Sequence, residues 1–487
     1  MGTITIVGLG PGDEGQVTRE AWQVLTAAAE VWLRTERHPT VGRLPEHVNL
    51  HSFDSLYDQG ESFADVYEGI VARLLDLGRR QQGVVYGVPG HPMVGEATVT
   101  AIISRAREEG LRVRVVEGLS FVEPTLTALE VDALDGMQIV DAVEVAASHH
   151  PPLNPDLPAL VAQLHSRSVA GAVKLALMNE YPDELEVVLV HAAGTDDEGV
   201  ERHLLYQLDR PGVIDEASAH LTTLYVPSLG HVASLEGLQE TVARLRSPGG
   251  CPWDREQTHE SLRPGLVEEA YEAVSAIDRG DLEGLREELG DLLLQIVLQT
   301  QIATEGGVFK MPDVISGIDA KLKYRHPHVW GEKVVKDTGE VLQNWEMLKR
   351  AEKVERESIL DGVPAALPAL QQAYTFGERV ARAGFDWSDV AGVKAKVREE
   401  IEELEEASSL GRKEAELGDL LFAVANWARW LGVEPETALR GANARFARRF
   451  ADLERQARER DLDIVDLSID ELDAFWETAK EREATLE

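Results

Sequence analysis

Two patterns of apolar positions divide the chain near residue 230. Before this point, short β-branched runs alternate with helical periodicity, and four of the runs predict buried strands at residues 3–7, 83–86, 113–116 and 186–191. After Pro227, the apolar positions follow the period of long amphipathic helices, as in residues 266–302 and 393–430. We therefore predict a multi-domain protein with an α/β region followed by an all-α region.

The helical region contains an internal repeat. Glu-Glu-x-x-Glu followed by Glu-x-x-Asp occurs twice, and the second element lies each time within Glu-Leu-Gly-Asp-Leu-Leu. A Trp-Asp or Asp-Trp pair precedes each copy, and a basic helical segment follows each copy at residues 317–325 and 441–449. This order predicts two duplicated modules, residues 231–331 and 365–487, joined by a polar linker at 332–364. The α/β region before them spans residues 1–226.

Composition restricts the classes of partner. The 487 residues are 44% hydrophobic and 28% charged, as is typical of a globular protein. The net charge is −38 and divides equally between residues 1–230 and 231–487, so it does not belong to an acidic tail. Such a chain repels a phosphate backbone, which argues against nucleic-acid binding, whereas a metal ion can still bridge it to a free nucleotide.

The sequence offers no sign of export or membrane insertion. There is one cysteine, Cys251, and it cannot form an intrachain disulfide or complete a cysteine zinc site. The first apolar run lacks a preceding basic segment, and no stretch approaches 18 uninterrupted apolar residues. We expect a cytoplasmic protein without a membrane partner.

The repeated acids are the strongest chemical signal in the sequence. At about 100° per residue, the acids of each motif lie on one side of their helix, and five carboxylates from two antiparallel helices repel unless cations neutralise them. Oxygen ligands without His or Cys favour Mg²⁺ or Mn²⁺, whereas a di-iron bundle normally uses Glu-x-x-His. A solvated helix face is the alternative. The candidate ligands are Glu268, Glu269, Glu272, Glu288 and Asp291, with Glu399, Glu400, Glu403, Glu416 and Asp419 in the second copy.

Residues near the acids fit a phosphate-containing substrate. Apolar neighbours such as Leu289 and Leu293 predict that the acids border a buried surface. Basic residues four apart lie on one helix face and can grip phosphate oxygens, although pairing with nearby acids is an alternative. Two tryptophans can stack on a base, although core packing is the commoner role. The substrate-binding candidates are Lys321, Arg325, Asn443, Arg445, Arg449, Trp253 and Trp387.

Residues 249–259 (GGCPWDREQTH), together with both acidic motifs, residues 321–330 (KLKYRHPHVW) and 384–387 (GFDW), resemble the MazG family of nucleoside triphosphate pyrophosphohydrolases. The resemblance covers residues 231–487. It implies an all-α fold, dependence on Mg²⁺, and cleavage of a nucleoside triphosphate to the monophosphate and pyrophosphate. It also implies a homodimer.

The resemblance leaves the roles within the two copies open. Glu269 or Glu400 is the candidate that orients or deprotonates the attacking water. The family often has a lysine shortly before Gly-Phe-Asp-Trp, where this chain has Thr375, and Arg379 nearby keeps a cation. Both copies keep all five acids, so either or both can be active.

A glycine-rich loop follows the first predicted strand and brings backbone close to a ligand. With residues 86–92 (YGVPGHP), 118–120 (GLS) and 136–138 (GMQ), it resembles the tetrapyrrole (corrin/porphyrin) methylase family over about residues 1–226. The resemblance implies S-adenosylmethionine between two α/β subdomains. His91 stands where many members have Asp, which places methyl transfer to a tetrapyrrole in doubt. The cofactor-binding candidates are Gly8, Gly10, Pro11, Gly12, Gly90 and Ser120.

Three functions follow from these motifs. The leading one is a metal-dependent nucleoside triphosphate pyrophosphohydrolase that serves nucleotide-pool house-cleaning. The second is an S-adenosylmethionine-dependent methyltransferase whose helical region serves assembly. The third is a non-catalytic helical interaction module with acidic faces.

Overall fold

The computed structural model describes residues 2–59, 63–214, 221–351 and 358–486. These residues form two compact units, Met1–Glu256 and Gln257–Glu487. Among them, no helix combines the length and the hydrophobicity that crossing a membrane requires.

The first unit contains two five-stranded sheets. The first sheet has the order β3-β2-β4-β1-β5 and is parallel throughout. The second has the order β6-β7-β10-β8-β9, in which the β6–β7 pair alone is parallel. The strands are β1 Thr3–Gly8, β2 Glu30–Leu33, β3 Asn49–Ser52, β4 Val84–Val88, β5 Arg112–Val116, β6 Gln138–Asp141, β7 Ala159–Ala162, β8 Glu186–His191, β9 Gly199–Leu204 and β10 Thr222–Val226.

Helices occur between most of the strands of this unit, and two further helices follow the last strand. Ile4 and Ile6 of β1 pack into one apolar cluster, whereas Val7 packs into another, as the two-residue period of a strand requires. The helices are α1 Arg19–Ala27, α2 Asp54–Gln59, α3 Phe63–Gly78, α4 Ala97–Glu108, α5 Val122–Leu129, α6 Ala142–Ala147, α7 Arg167–Leu177, α8 Leu235–Arg246 and α9 Pro252–Glu256. The second sheet has its own core, which includes Leu189 and Leu224.

The described part of the second unit is helical. Its helices are α10 Arg263–Arg279, α11 Leu282–Glu305, α12 Met311–Arg325, α13 Pro327–Trp330, α14 Thr338–Ala351, α15 Ala369–Arg382, α16 Val390–Glu406, α17 Leu410–Trp430, α18 Pro435–Arg458 and α19 Ile469–Leu486. Helix α10 packs on α11, and α16 packs on α17. Asp281 and Ser409 cap α11 and α17 at equivalent positions of the repeat, so the acids of each copy project from one helical hairpin.

The four predicted strands are confirmed, as is the change from α/β to helical structure. The segment predicted as a polar linker contains α14, which contacts α12, so much of it is ordered against the first copy of the repeat. Its apolar residues Val341, Trp345 and Leu348 recur at helical spacing, so the sequence contained a helix signal that the linker assignment overlooked. Residues 352–357 of the predicted linker lie outside the described residues.

Candidate active site

Three carboxylates of the first copy converge between α10 and α11. One oxygen from each of Glu269, Glu272 and Glu288 lies within 4.8 Å of the others. Oxygens around a single Mg²⁺ are at most about 4.2 Å apart, since each lies about 2.1 Å from the ion. Small side-chain rotations therefore bring this set onto one ion, and the hard oxygen donors match that metal.

The second copy forms the same triad with one addition. Glu400, Glu403 and Glu416 also place one oxygen each within 4.8 Å of the others. Here the Lys396 ammonium lies 2.6 Å from Oε1 of the buried Glu400 and 2.8 Å from Oε1 of Glu399. Arg412 lies 3.6 Å from Oε1 of Glu416. The second triad is thus partly neutralised by its own helices.

The first triad lacks this counter-charge. The positions equivalent to Lys396 and Arg412 are Gly265 and Gly284, which are 131 and 128 residues earlier in the chain. Within residues 221–351 and 358–486, no basic side chain forms an ion pair with the three acids of the first triad. The two copies therefore have the same acids and different net charges.

Crowding of the carboxylates shifts their protonation. Burial by neighbouring atoms, together with the charges of Asp291 and Glu272, raises the pKa of Glu269. Burial and the adjacent Glu272 likewise raise the pKa of Glu288. In the second copy, burial and the charge of Glu400 raise the pKa of Glu403, and Lys396 opposes that shift. A divalent cation at either triad would relieve this repulsion.

The remaining predicted ligands lie beside the triads. Asp291 is half-buried, and its charge acts on both Glu269 and Glu288. Glu268 is exposed beside the first triad, and Asp419 is exposed one turn beyond Glu416. Glu399 is bound by Lys396. The structure thus brings together three of the five predicted acids of each copy and leaves the other two at its edge.

The sequence predicts that the acids border a buried surface, and this prediction is wrong for the single chain. Leu289 is 54% exposed and Leu293 is 40% exposed, and the equivalent Leu417 and Leu421 are 47% and 49% exposed. The packing of α10 on α11, and of α15 and α16 on α17, leaves these side chains uncovered. The apolar residues next to the acids therefore form open surfaces.

The predicted phosphate-binding cations differ in their surroundings. Lys321 and Arg445 are exposed, whereas the Arg325 guanidinium lies 5.3 Å from the ring centre of Trp345. Arg449 donates to Oε2 of Glu483 at 2.7 Å, which ties α18 to α19. Asn443 is exposed, and Arg379 donates to the backbone carbonyls of residues 359 and 361. Arg445 and Lys321 are therefore the most available of this set.

The two tryptophans have different settings. Trp253 is 64% exposed on the short helix α9. Trp387 lines an apolar pocket with Phe376, Phe422 and Arg429. Trp387 therefore lines a pocket that a ring could enter.

Lys396 and Arg412 were missed by the sequence reasoning. Their signal was present, because Lys396 lies three and four residues before Glu399 and Glu400, and Arg412 lies four residues before Glu416. A comparison of the two copies position by position would have revealed the contrast with two glycines.

The glycine-rich loop of the first unit lies against a pocket between the two sheets' loops. Gly10 and Gly90 form an antiparallel bridge, with Gly90 N–H donating to Gly10 O at 2.9 Å. Pro11, Gly90 and Ser120 line the pocket, whose volume is about 180 Å³. Gly8 and Gly12 lie behind the lining, and Gly8 touches Gly118 so closely that a Cβ would collide with it. The glycines thus permit close backbone packing at the pocket.

Two residues of the opposite wall have strained backbones. Gln163, just after β7, has φ of 63°, and Ala192, just after β8, has φ of 44°. Both line the pocket. Left-handed backbone at residues other than glycine is costly and concentrates at ligand sites. His91, in contrast, is half-buried, and its Nδ1 accepts from the Met93 N–H at 3.0 Å.

Comparison with known proteins gives two family matches. Residues 3–209 match the tetrapyrrole (corrin/porphyrin) methylases, and residues 257–330 match the MazG nucleotide pyrophosphohydrolase domain. The chain is 40% identical to the uncharacterized protein YabN of Bacillus subtilis over 99% of both chains. It is 44% identical to the MazG nucleoside triphosphate pyrophosphohydrolase of Thermotoga maritima, covering 50% of this chain and 95% of that one. It is 40% identical to the Escherichia coli K12 nucleoside triphosphate pyrophosphohydrolase, and this match covers 52% of this chain and 99% of that one.

The two units and their sites define a class of protein in which a tetrapyrrole-methylase domain precedes a helical MazG region with two carboxylate triads. The chain belongs to the family of YabN, and its C-terminal half to the MazG family of nucleotide pyrophosphohydrolases.

Proposed function

We propose that this protein is a Mg²⁺-dependent nucleoside triphosphate pyrophosphohydrolase that releases the monophosphate and pyrophosphate. The observation that carries the proposal is the pair of three-carboxylate clusters, each set between two packed helices, the first of them within the residues that match the MazG domain. The activity that the names of the Thermotoga and Escherichia relatives state supports it. Mn²⁺ suits the same oxygen donors.

We assign hydrolysis to the second triad. A nucleoside triphosphate is strongly anionic and needs cations besides the metal to bind beside carboxylates. Lys396 and Arg412 supply such charges at the second triad, whereas the first has glycines in their place. The exposed Arg445 adds another cation on α18 of the same copy. The first triad is then a metal site with a weaker hold on phosphate.

The residues at the second triad have separate roles in the proposed reaction. Glu400, Glu403 and Glu416 would hold the metal, which when bound neutralises phosphate charge and lowers the pKa of a bound water. Lys396 and Arg412 orient phosphate oxygens once the triphosphate displaces them from their carboxylates. Glu400 is buried, so the packing around its carboxylate restricts it to the orientation that positioning a water requires.

Metal and substrate requirements test this proposal. Chelation should abolish product formation from each nucleoside triphosphate, and Mg²⁺ or Mn²⁺ should restore it. Activity that persists after complete removal of divalent ions would contradict the proposal.

Metal binding should stabilise the fold most through the first triad. At ten times its dissociation constant, a ligand adds about 1.4 kcal/mol, which raises the melting temperature of a unit of this size by about 3–6 °C. Glu272→Gln relieves repulsion and removes a ligand, so it should raise the melting temperature without Mg²⁺ and reduce the increase that Mg²⁺ causes. Scanning calorimetry measures both. Glu283→Gln, an exposed acid at the start of α11, is the control and should leave the increase intact.

Lys396→Ala should separate metal binding from substrate binding. Loss of a charge-assisted contact lowers kcat/KM about 10- to 100-fold, mainly through KM. The second triad then resembles the first, so the thermal stabilisation by Mg²⁺ alone should increase. Steady-state kinetics and calorimetry measure these effects, with the exposed Lys413→Ala as control. A fall in Mg²⁺ stabilisation together with activity would instead make Lys396 a structural support of the triad.

We further propose that two copies of the chain associate through α11 and α17. Leu289, Leu293 and Ile296 form an exposed apolar ridge on α11, and Leu417, Leu421 and Val424 form the equivalent ridge on α17. Both ridges are exposed in the single chain, so the two modules do not cover each other. Exposed apolar ridges of this kind mark helix interfaces, and a twofold pairing of copies covers them.

A second candidate function is binding of S-adenosylmethionine by the first unit. The lined pocket at the glycine-rich loop, with strained Gln163 and Ala192 on its wall, favours this role. Methyl transfer is a further step that this pocket alone does not establish. Calorimetry with S-adenosylhomocysteine tests the binding, and absence of heat at millimolar ligand would overturn it.

A further inference from the structure

His38 lies at the pocket of the first unit with one ring nitrogen held by the backbone. Its side chain is buried, with 9% exposed, and it lines the pocket with Pro11 and Gly90. Its Nε2 lies 3.0 Å from the carbonyl oxygen of Gly10. A carbonyl oxygen only accepts hydrogen bonds, so Nε2 carries the proton. The lone pair of the neutral ring is then on Nδ1.

That lone pair has no partner among the residues that the structure describes. An unpaired acceptor is costly when buried, and it is ordinarily satisfied by a ligand or a water. Burial also lowers the pKa of His38, which keeps the ring neutral and Nδ1 an acceptor. A ligand that displaces water from the pocket satisfies this acceptor when it presents an N–H or O–H group here.

The two walls of the pocket differ in chemistry. On the wall of the first sheet, His38 accompanies Glu96, which forms an ion pair with Arg34. The wall of the second sheet is uncharged: Ala192, Ala193 and Leu221 are apolar, and the remaining lining residues include the neutral polar Gln163, Thr222 and Thr223. The uncharged wall suits an adenine ring, whereas the wall with the Glu96–Arg34 ion pair suits the charged amino-acid end of a sulfonium nucleoside.

We propose that His38 Nδ1 accepts a hydrogen bond from the α-ammonium group of S-adenosylmethionine or S-adenosylhomocysteine. This inference rests on the proposed S-adenosylmethionine site and adds a residue outside the glycine-rich motifs. His38 is a specificity residue: it recognises the amino-acid part of the ligand, while its Nε2–H holds the glycine-rich loop through Gly10.

Two ligands distinguish recognition of the amino-acid portion from recognition of the adenosine portion. S-Adenosylhomocysteine carries the α-ammonium, whereas 5′-methylthioadenosine shares its adenosine and thioether and lacks the amino-acid portion. His38→Gln keeps an N–H that can reach Gly10 in place of Nε2–H, and it shifts the acceptor from the Nδ1 position to the amide oxygen on the other side of the side chain. Titration calorimetry of the full chain should show S-adenosylhomocysteine binding weakened about 10- to 100-fold, with 5′-methylthioadenosine changed less than about threefold.

His47→Ala is the matched control, because His47 also places Nε2 3.0 Å from a backbone carbonyl, that of Thr26, but at the exposed surface. It should bind both ligands as the wild type does. Equal loss of both ligands in His38→Gln, or no loss of either, would overturn the role of His38 while leaving the S-adenosylmethionine site in place. A wild-type chain that binds neither ligand would overturn both.

Discussion

Glu403→Gln should lower the rate of pyrophosphate release by at least about 100-fold, because it removes one of three carboxylates that hold the metal against the triphosphate. Glu272→Gln makes the same change at the equivalent position of the first triad and should alter the rate less than about threefold. The difference follows from Lys396 and Arg412, which accompany the second triad and are replaced by glycines at the first. Steady-state kinetics with saturating Mg²⁺ measures both variants.

The repeat makes this pair a demanding test. Both glutamates are exposed residues on equivalent helices, so the two substitutions alter size and charge alike. Circular dichroism of each variant checks that the helices persist. Equal losses would show that both triads hydrolyse substrate, and a greater loss in Glu272→Gln would place the active centre in the first copy.

Leu421→Glu should convert a dimer to a monomer and abolish activity with it. A twofold interface would bury the new charge twice without a partner, which costs about 3–5 kcal/mol per uncompensated charge and weakens association by more than about 100-fold. Because Leu421 lies two residues beyond Asp419, separation of the copies exposes the edge of the second triad. Light scattering after size-exclusion chromatography measures the mass.

Val465→Glu is the control for this variant. Val465 is an apolar residue that is 84% exposed, and it lies away from the α17 ridge, between α18 and α19. It should leave both mass and activity unchanged. A wild-type chain that is monomeric at micromolar concentration, or a Leu421→Glu variant that stays dimeric, would contradict the proposed interface.

Periodicity and repetition were enough to predict much of the fold. The β-branched run at residues 3–7 could form little else than a buried strand, and the repeated acidic motifs placed two helical hairpins in order. The helix α14 was missed although Val341, Trp345 and Leu348 follow a helical period, because the many polar residues around them gave the segment the composition of a linker. The exposure of Leu289 and Leu421 also escaped, because a one-chain pattern records hydrophobicity and does not show which surface covers it.

The sequence predicted the acidic residues of the candidate site better than its basic residues. Glu269 and Glu400 were singled out by motif, and the structure places both in triads. Basic residues four apart drew attention to Arg325 and Arg449, yet one lies over Trp345 and the other binds Glu483. Lys396 pairs with Glu400 across a single helical turn, which a search for matched basic pairs overlooks. His38 was invisible, because its significance depends on tertiary contact with Gly10.

Product identity tests the central claim most directly. The wild-type chain, Mg²⁺ and a nucleoside triphosphate would be quenched during the first turnover, and the products separated by anion-exchange chromatography. Hydrolysis at this site should yield nucleoside monophosphate and pyrophosphate in equal amounts from the earliest time, without a diphosphate intermediate. Release of orthophosphate with accumulation of nucleoside diphosphate would contradict the account.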